Sequence, residues 1–293
     1  MASARFDLLD DKVGAGVERL VRGHHRHRLK RRGRLSALEP PEDGLWCAGD
    51  PPPRDGNTVE VMVDGAHALP ALERDIAGAT ESVLLAGWAF TPSFRLSHGG
   101  PTLRELLADA VNVRVLAWAG APLPLFHPSR KEVEASREQL VKGTRIRMAL
   151  DQRERPLHCH HEKLAVIDGR IAYVGGIDLT SLGGDRLDTS EHPARGAIGW
   201  HDVAARIEGP LVADVASHIA ARWRAVTGET LPTASPAVGG TVTAQFVRTV
   251  PERVYDFAPH GEFRILEAYV RALRSAERLV YLESQFLWAP EIT

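Results

Sequence analysis

A histidine and a lysine two positions apart, His161 and Lys163, are the residues of this chain best suited to phosphoryl chemistry. Neutral imidazole is a nucleophile near pH 7, and an ammonium group can hold phosphoryl oxygens and neutralise their charge. The surrounding run predicts a strand, in which residues two apart project from the same face. We therefore predict that His161 and Lys163 project side by side into one phosphate-handling site.

The residues after this pair predict a β-hairpin. Two apolar runs, 164–167 and 170–174, flank Asp168-Gly169, a dipeptide that is typical of two-residue turns. Asp168 completes the pattern H-x-K-x4-D and is a candidate catalytic residue on that ground. A straight strand would nevertheless hold it about 23 Å from His161, so we interpret Asp168 as a turn and structural residue.

Two glycines, Gly175 and Gly176, follow the second apolar run and are candidates for substrate binding. With a two-residue turn, Lys163 lies opposite Val174, and His161 lies opposite Gly176. A glycine beside the nucleophile leaves room for a ligand and exposes backbone N–H groups.

The motif and its flanks resemble the phospholipase D superfamily, which is known for this H-x-K-x4-D (HKD) signature. The segments 160–168 and 174–179 look more like the phosphatidylcholine-cleaving phospholipases D than like the small nucleases of the superfamily. The similarity covers roughly residues 57–293 and continues in Trp200-His201-Asp202-Val203, 206–210, Arg222-Trp223 and Tyr281-Leu282-Glu283-Ser284-Gln285-Phe286. In the last segment Ser284 replaces the asparagine that is usual in the family.

The resemblance implies phosphodiester cleavage in two steps. His161 would attack phosphorus to form a phosphohistidine, and Lys163 would hold the phosphoryl oxygens. Asp202 would orient the other imidazole nitrogen, or else it caps or pairs at the start of a strand. Glu283 and Gln285 would face the same cleft, or else they form a polar strand end. In the family a histidine from a second HKD motif protonates the leaving alcohol, and no metal or cofactor is required.

The run before the motif has the composition of a metal cluster. His158, His160 and Glu162 share one face of the predicted strand, and Cys159 and His161 share the other. No downstream Cys or His pair completes a zinc pattern. We therefore expect no metal site, and we interpret His158 and His160 as supporting or surface residues.

Strand and helix patterns alternate before the motif. This alternation predicts an α/β fold, and the resemblance specifies a phospholipase D-like mixed sheet flanked by helices on both faces. The predicted strands are 59–63, 82–88, 111–118 and 144–150, and the predicted helices are 68–79, 102–110 and 129–141.

The chain is predicted to contain a first repeat and the start of a second. Residues 79–90 align with 275–286 at an offset of 196, and both segments have the pattern of a helix end followed by an apolar strand. The same offset places a second motif near position 357, beyond the chain. The predicted divisions are a basic N-terminal helix with a Pro/Gly-rich linker (1–57), a first HKD repeat (58–228), and a linker with a truncated second repeat (229–293). The last division includes an apolar strand over 279–287.

The composition limits the binding partners and the cellular compartment that we expect for this chain. The net charge of −2 gives no general attraction to nucleic acid, and two cysteines are too few for a disulfide framework. No apolar run of about 18 residues and no signal peptide is present, so we expect a cytoplasmic protein. The segment 22–34 carries seven Lys/Arg and three His. It could make peripheral contact with anionic lipid or, less favoured, with nucleic acid, and the alternative, which the composition favours slightly, is a solvated basic tail.

The favoured function is a phospholipase D-like phosphodiesterase that acts on glycerophospholipids or other phosphodiesters through a phosphohistidine. The chain contains one HKD motif, so the second would come from a missing C-terminal half or from a dimer partner. One alternative is a cardiolipin-synthase-like phosphatidyltransferase or a nuclease that works as a dimer. The other is a truncated fragment without catalysis that binds phosphate or lipid.

Overall fold

The computed structural model describes residues 46–122, 126–153, 159–182, 201–232, 234, 236 and 239–284, together with single positions between 16 and 31. The chain divides into two compact units. The larger, here called the sheet unit, comprises Pro53–Phe246 and Val254–Pro259. The smaller, here called the terminal unit, comprises Met1–Pro52, Val247–Arg253 and His260–Thr293.

An eight-stranded mixed sheet organises the sheet unit, with strand order β4-β3-β2-β5-β6-β7-β1-β8. Strands β2, β3 and β4 are parallel to one another, and every other neighbouring pair is antiparallel. The strands are β1 (Arg54–Val63), β2 (Val83–Gly87), β3 (Val113–Trp118), β4 (Arg147–Asp151), β5 (Leu164–Ile167), β6 (Ile171–Gly175), β7 (Val203–Glu208) and β8 (Val242–Ala244).

Helices cover both faces of this sheet. Helices α1 (Gly65–Ala77), α2 (Leu103–Asp109) and α3 (Arg130–Val141) share one hydrophobic core with it, and α4 (Leu211–Thr227) shares a second. Strand β2 is buried on both sides, because Val83 and Leu85 enter the first core while Leu84 enters the second. The predicted α/β class, with a mixed sheet and helices on both faces, is confirmed.

Local sequence explains where two of the helices begin. The side chains of Thr102 and Ser129 each accept a hydrogen bond from the backbone N–H three residues on, and the carboxylates of Glu105 and Glu132 accept one from the backbone N–H of the cap residue. These reciprocal bonds satisfy N–H groups that a helix start leaves without partners. The predicted helices over 102–110 and 129–141 are therefore present within about one residue of their expected starts.

The predicted register of the β5–β6 hairpin is wrong by one residue. Ile167 pairs with Ile171, so the turn contains Asp168, Gly169 and Arg170 rather than two residues. Val174 consequently pairs with Leu164 and not with Lys163. The physical reason is that Asp168 and Gly169, with φ of 51° and 61°, form a tight turn in which the N–H of Arg170 donates to the carbonyl of Ile167 at 3.0 Å, and Arg170 is then left out of the strand pairing.

The terminal unit contains a small antiparallel pair, β9 (Thr249–Val250) and β10 (Glu262–Phe263), followed by helix α5 (Arg264–Ser275). The predicted strand over 279–287 is wrong for its described part, 279–284, which has no regular structure. A strand needs a neighbour for its backbone groups, and no described strand pairs with this segment. Leu279 and Tyr281 are correspondingly 82% and 78% exposed.

Across the described part of the chain, every helix is too short or too polar to cross a lipid bilayer.

Candidate active site

His161 and Lys163 lie in an irregular segment, 159–163, that leads directly into β5. The prediction that a strand runs through His161 is therefore wrong. The pairing of β5 with β2 and β6 begins at Leu164, and its last backbone bond is donated by Gly175 to the carbonyl of Lys163 at 3.3 Å. His161 is exposed, as a nucleophile that must reach a substrate requires.

Lys163 is held in place by an ion pair. Its Nζ lies 3.1 Å from Oδ2 of Asp178, and the two side chains are 8% and 4% exposed. The same Nζ donates to the carbonyl oxygen of His161 at 3.4 Å. The cation is thus fixed beside the backbone of the candidate nucleophile. A cavity of ≈ 40 Å³ borders the pair, with apolar walls that include Gly87, Phe90 and Ile177.

Sequence analysis gave Asp178 no role, although the residue lies in one of the segments that carry the resemblance. The available signal was an acidic side chain in an otherwise apolar run, two residues after the double glycine. A carboxylate in such a run is buried only when a cation or hydrogen-bond donors accompany it. The partner could not be read from the sequence, because Asp178 lies 15 positions after Lys163.

Two tryptophans form a wall beside His161. The Trp88 ring lies 5.8 Å from the imidazole at an angle of 58°, and Trp118 stacks on Trp88 at 6.5 Å and 15°. Trp118 ends β3 and Trp88 directly follows β2, and these strands are parallel neighbours. The carboxyl ends of two parallel strands therefore bring both rings to the edge of the sheet that carries His161. Sequence analysis missed this pair.

The backbone N–H groups of the double glycine are used by the sheet, although Gly175 also lines the cavity beside Lys163. The N–H of Gly175 donates to Lys163, and the N–H of Gly176 donates to the carbonyl of Val203 at 3.0 Å. A Cβ on Gly176 would overlap the carboxylate of Asp202, and one on Gly175 would overlap the backbone of β7. The expectation that these N–H groups are exposed is therefore wrong, because β7 occupies the space beside them. A substrate contact through Gly175 or Gly176 stays a prediction.

Asp202 lies against the motif through Gly176. Its carboxylate accepts the N–H of Val203 at 2.7 Å, and its backbone N–H lies 3.3 Å from Oδ1 of Asp64. Nδ1 of His201 lies 2.7 Å from that same oxygen of Asp64, which is 1% exposed. The role of Asp202 in orienting His161 stays a prediction. Sequence analysis also missed the pair of Asp64 and His201.

Asp168 lies at the turn, at the other end of β5 from Lys163. Its carboxylate accepts the backbone N–H groups of Thr80, Glu81 and Ser82 at 2.8–2.9 Å and the Thr80 hydroxyl at 3.0 Å. Burial raises the pKa of Asp168, but these hydrogen bonds outweigh it and lower the pKa below its ordinary value. The contacts support the interpretation of Asp168 as a structural residue.

The sequence also predicts roles for Glu283, Gln285 and His158. Glu283 belongs to the terminal unit, where it accepts a hydrogen bond of 2.9 Å from the Tyr281 hydroxyl. Gln285 and His158 lie outside the described residues. The part played by Glu283 and Gln285 in a shared cleft stays a prediction. Within the described ranges, no three His, Cys, Asp or Glu side chains converge as metal ligands.

Several known proteins are similar in sequence to this chain. No family model matches the chain. Phospholipase D A of Dictyostelium discoideum is 24% identical over 288 aligned residues, which cover 80% of this chain and 22% of that protein. Phospholipase D zeta 1 of Arabidopsis thaliana is 26% identical, covering 64% of this chain and 22% of that protein. Over most of its length the chain is similar to members of the phospholipase D superfamily.

Other superfamily members match shorter parts of the chain. Cardiolipin synthase A of Pectobacterium carotovorum is 26% identical, covering 62% of this chain and 37% of that protein. Among solved structures, the phospholipase D family member Nuc of Salmonella typhimurium aligns at 17% identity with a TM-score of 0.41, covering 57% of this chain and 95% of Nuc. The chain spans between 22% and 37% of the length of these three curated relatives.

Proposed function

We propose that the chain carries a phosphodiester-processing site of the phospholipase D type, with His161 as nucleophile and Lys163 as the cation that holds the phosphoryl oxygens. The observation that carries this proposal is the arrangement of segment 159–163. His161 is exposed, and the Lys163 ammonium group, which Asp178 fixes, lies 3.4 Å from the His161 carbonyl oxygen. Preorganised charge of this kind stabilises the oxyanion of the transition state without reorganisation.

The proposed reaction has two displacements at phosphorus. An imidazole nitrogen of His161 donates its electron pair to phosphorus, and the bond from phosphorus to the leaving alcohol oxygen breaks. A general acid gives that oxygen its proton. Water or a second alcohol then attacks phosphorus, the P–N bond breaks, and the imidazole is regenerated. The sequence has one H-x-K-x4-D motif, so the proposal assigns the general acid to a second motif, either further along the polypeptide or on a partner chain.

A glycerophospholipid is the substrate class that the observations favour. The relatives named above are phospholipases D and a cardiolipin synthase, and both names refer to phospholipids. The wall formed by Trp88 and Trp118 supports the same choice, because indole rings suit a substrate that is apolar on one side and polar on the other. The match to a cardiolipin synthase favours phosphatidyl transfer as the second candidate reaction.

Contact with a membrane surface completes the proposal. The segment 22–34 has seven Lys/Arg and three His, and such segments attract anionic head groups by about 1 kcal/mol for each Lys or Arg near the surface. We infer peripheral contact through this segment, from the cytoplasmic side.

The decisive experiment follows the covalent intermediate in the full 293-residue chain. Phosphatidylcholine with a radioactive phosphorus atom is mixed with enzyme, the reaction is stopped in base, and radioactivity on the protein is measured. We expect a label that is stable in base, labile in acid and absent from His161→Asn. His98→Asn, which changes another exposed histidine of the sheet unit, should label like the wild type.

Two results would contradict the proposal. A label that persists in His161→Asn would exclude this histidine as nucleophile. A folded wild-type chain without label and without turnover would mean that it forms no covalent intermediate alone, and the binding alternative would then be favoured. Phosphatidic acid as the product would indicate hydrolysis, whereas a phosphatidyl ester formed with added glycerol would indicate transfer.

A further inference from the structure

Glu162 separates His161 from Lys163 and faces the other side of the sheet. Lys163 borders a cavity that is also lined by α1, whereas the Glu162 carboxylate reaches α4 on the opposite face. Oε2 of Glu162 lies 2.6 Å from Nε2 of His218, and Oε1 lies 3.4 Å from Nε of Arg222. Oε1 also contacts Nε2 of His160. One carboxylate therefore joins the candidate catalytic segment to a helix on the far face of the sheet.

The network continues into the interior from Arg222. His218 and Arg222 are four residues apart on α4 and so lie on the same side of the helix. Arg222 donates to Oδ2 of Asp151, the last residue of β4, at 2.8 Å, and it lies 2.6 Å from the Tyr255 hydroxyl. That hydroxyl also donates to Asp151 at 2.5 Å. These four side chains are each at most 3% exposed.

Aromatic rings enclose the network. The His218 ring lies 5.6 Å from Phe246 and 6.5 Å from Phe257, and Phe257 stacks on Tyr255 at 5.1 Å. Charges and hydrogen bonds interact more strongly in such a low-dielectric environment than in water. Burial raises the pKa of Glu162, but the facing charges of His218, His160 and Arg222 outweigh it and hold that pKa well below its usual range. Glu162 is therefore ionised and firmly held.

We propose that Glu162, held by His218 and Arg222, is the positioning residue that fixes segment 159–163 and sets the placement of His161 relative to Lys163. The segment precedes the sheet pairing of β5, so side-chain anchors replace the missing ladder bonds. Lys163 is anchored to Asp178 and Glu162 to α4, and together they fix the backbone that carries His161. The effect of Glu162 on catalysis rests on the proposed function, whereas its role in fixing segment 159–163 does not.

The test uses four variants of the full chain. His218→Leu removes the donor to Glu162 and fits the surrounding phenylalanines, while His218→Gln keeps an N–H donor. Glu162→Gln removes the charge. Glu229→Gln is the matched control, because Glu229 accepts the Trp223 indole N–H at 2.9 Å and pairs with Arg147 at 2.7 Å, beyond the other end of α4. Near-ultraviolet circular dichroism establishes that each variant is folded.

The measured quantities are kcat and KM on a fluorogenic phosphodiester, and the backbone hydrogen exchange of 159–163. We expect His218→Leu and Glu162→Gln to lower kcat by about 10²-fold with KM within about threefold, as displacement of a reacting group does. Exchange should accelerate by about tenfold or more in this segment only. His218→Gln should remain within about fivefold of the wild-type kcat, and Glu229→Gln should match the wild type.

The inference is overturned if folded His218→Leu and Glu162→Gln keep wild-type kcat and exchange, or if Glu229→Gln loses as much kcat as they do. A wild-type chain without His161-dependent turnover would overturn the proposed function instead. Exchange would then still decide the positioning role, because faster exchange confined to 159–163 supports it and unchanged exchange refutes it. If His218→Leu fails to fold, Glu162→Gln and His218→Gln decide in the same way.

Discussion

Lys163 forms an ion pair with Asp178 in the absence of any substrate. Its partner Asp178 is 4% exposed. Bulk water therefore cannot solvate either charge if the ion pair is broken. In the proposed reaction, a substrate phosphate would share the ammonium group with Asp178 rather than displace a mobile counterion. The ion pair fixes the position of the ammonium group and also neutralises part of its charge.

Asp168 provides a separate test at the scale of one residue, because the motif makes it a candidate for catalysis while its contacts are structural. Its lowered folded-state pKa means that its charge stabilises the fold above the unfolded pKa of about 3.9, and that this stabilisation is lost as pH falls through the folded value. We expect Asp168→Asn to lower the free energy of unfolding at pH 7 by about 1–3 kcal/mol. The difference from wild type should shrink below about pH 4.

Urea unfolding from pH 7 to pH 3, together with turnover of a fluorogenic phosphodiester, checks this prediction. Asparagine is the right replacement, because residue 168 has a φ of 51° and Asn tolerates the left-handed region. Turnover of the folded variant should remain within about threefold of wild type, since the carboxylate binds the 80–82 backbone rather than a substrate. A variant with normal stability and lost turnover would instead make Asp168 catalytic.

At the scale of elements, periodicity in the sequence was enough to predict the strands and helices that precede the motif. The pattern located the turn at Asp168-Gly169, but it could not show that Arg170 is left out of the strand pairing, which shifts the hairpin register by one residue. It also could not show that the strand stops at Leu164, since the pairing partners of β5 decide its start. The partners of Lys163 and Glu162 come from other elements, so no local pattern reports them.

The approach of β7 to the end of β6 gives a prediction at the same scale. A Cβ at Gly176 would overlap the Asp202 carboxylate, so Gly176→Ala must push Asp202 and the start of β7 away. We expect the free energy of unfolding to fall by about 1–3 kcal/mol, as it does for overpacked sites. Turnover should fall as well if Asp202 orients His161. Gly239→Ala is the control, because a Cβ there meets no atom within 4 Å.

Urea unfolding and turnover are measured on both glycine variants. Equal stability of the two would contradict the close approach of β7. A stability loss in Gly176→Ala with unchanged turnover would confine Gly176 to a structural role and would remove Asp202 from the site. The two readouts therefore separate the sheet function of the glycine from its predicted contact with substrate.

At the scale of the whole molecule, the distribution of charge matters more than its sum. The net charge is −2, yet residues 22–34 gather seven of the 36 Lys and Arg residues. The rest of the chain is correspondingly more acidic and should repel an anionic surface weakly. The basic segment, rather than the chain as a whole, would then attract the molecule to such a surface.

Vesicle binding tests this contact of the basic segment with an anionic surface. We expect the full chain to bind vesicles of phosphatidylcholine with one third phosphatidylglycerol, and to bind them at least tenfold more weakly when salt rises from about 0.1 to 0.5 M, because screening shortens the Debye length. Replacing the seven Lys and Arg of 22–34 by Gln should reduce binding to the level of pure phosphatidylcholine vesicles, while turnover of a soluble phosphodiester stays unchanged. If the Gln variant binds anionic vesicles as the wild type does, the segment is a solvated tail, and membrane contact must arise elsewhere on the chain.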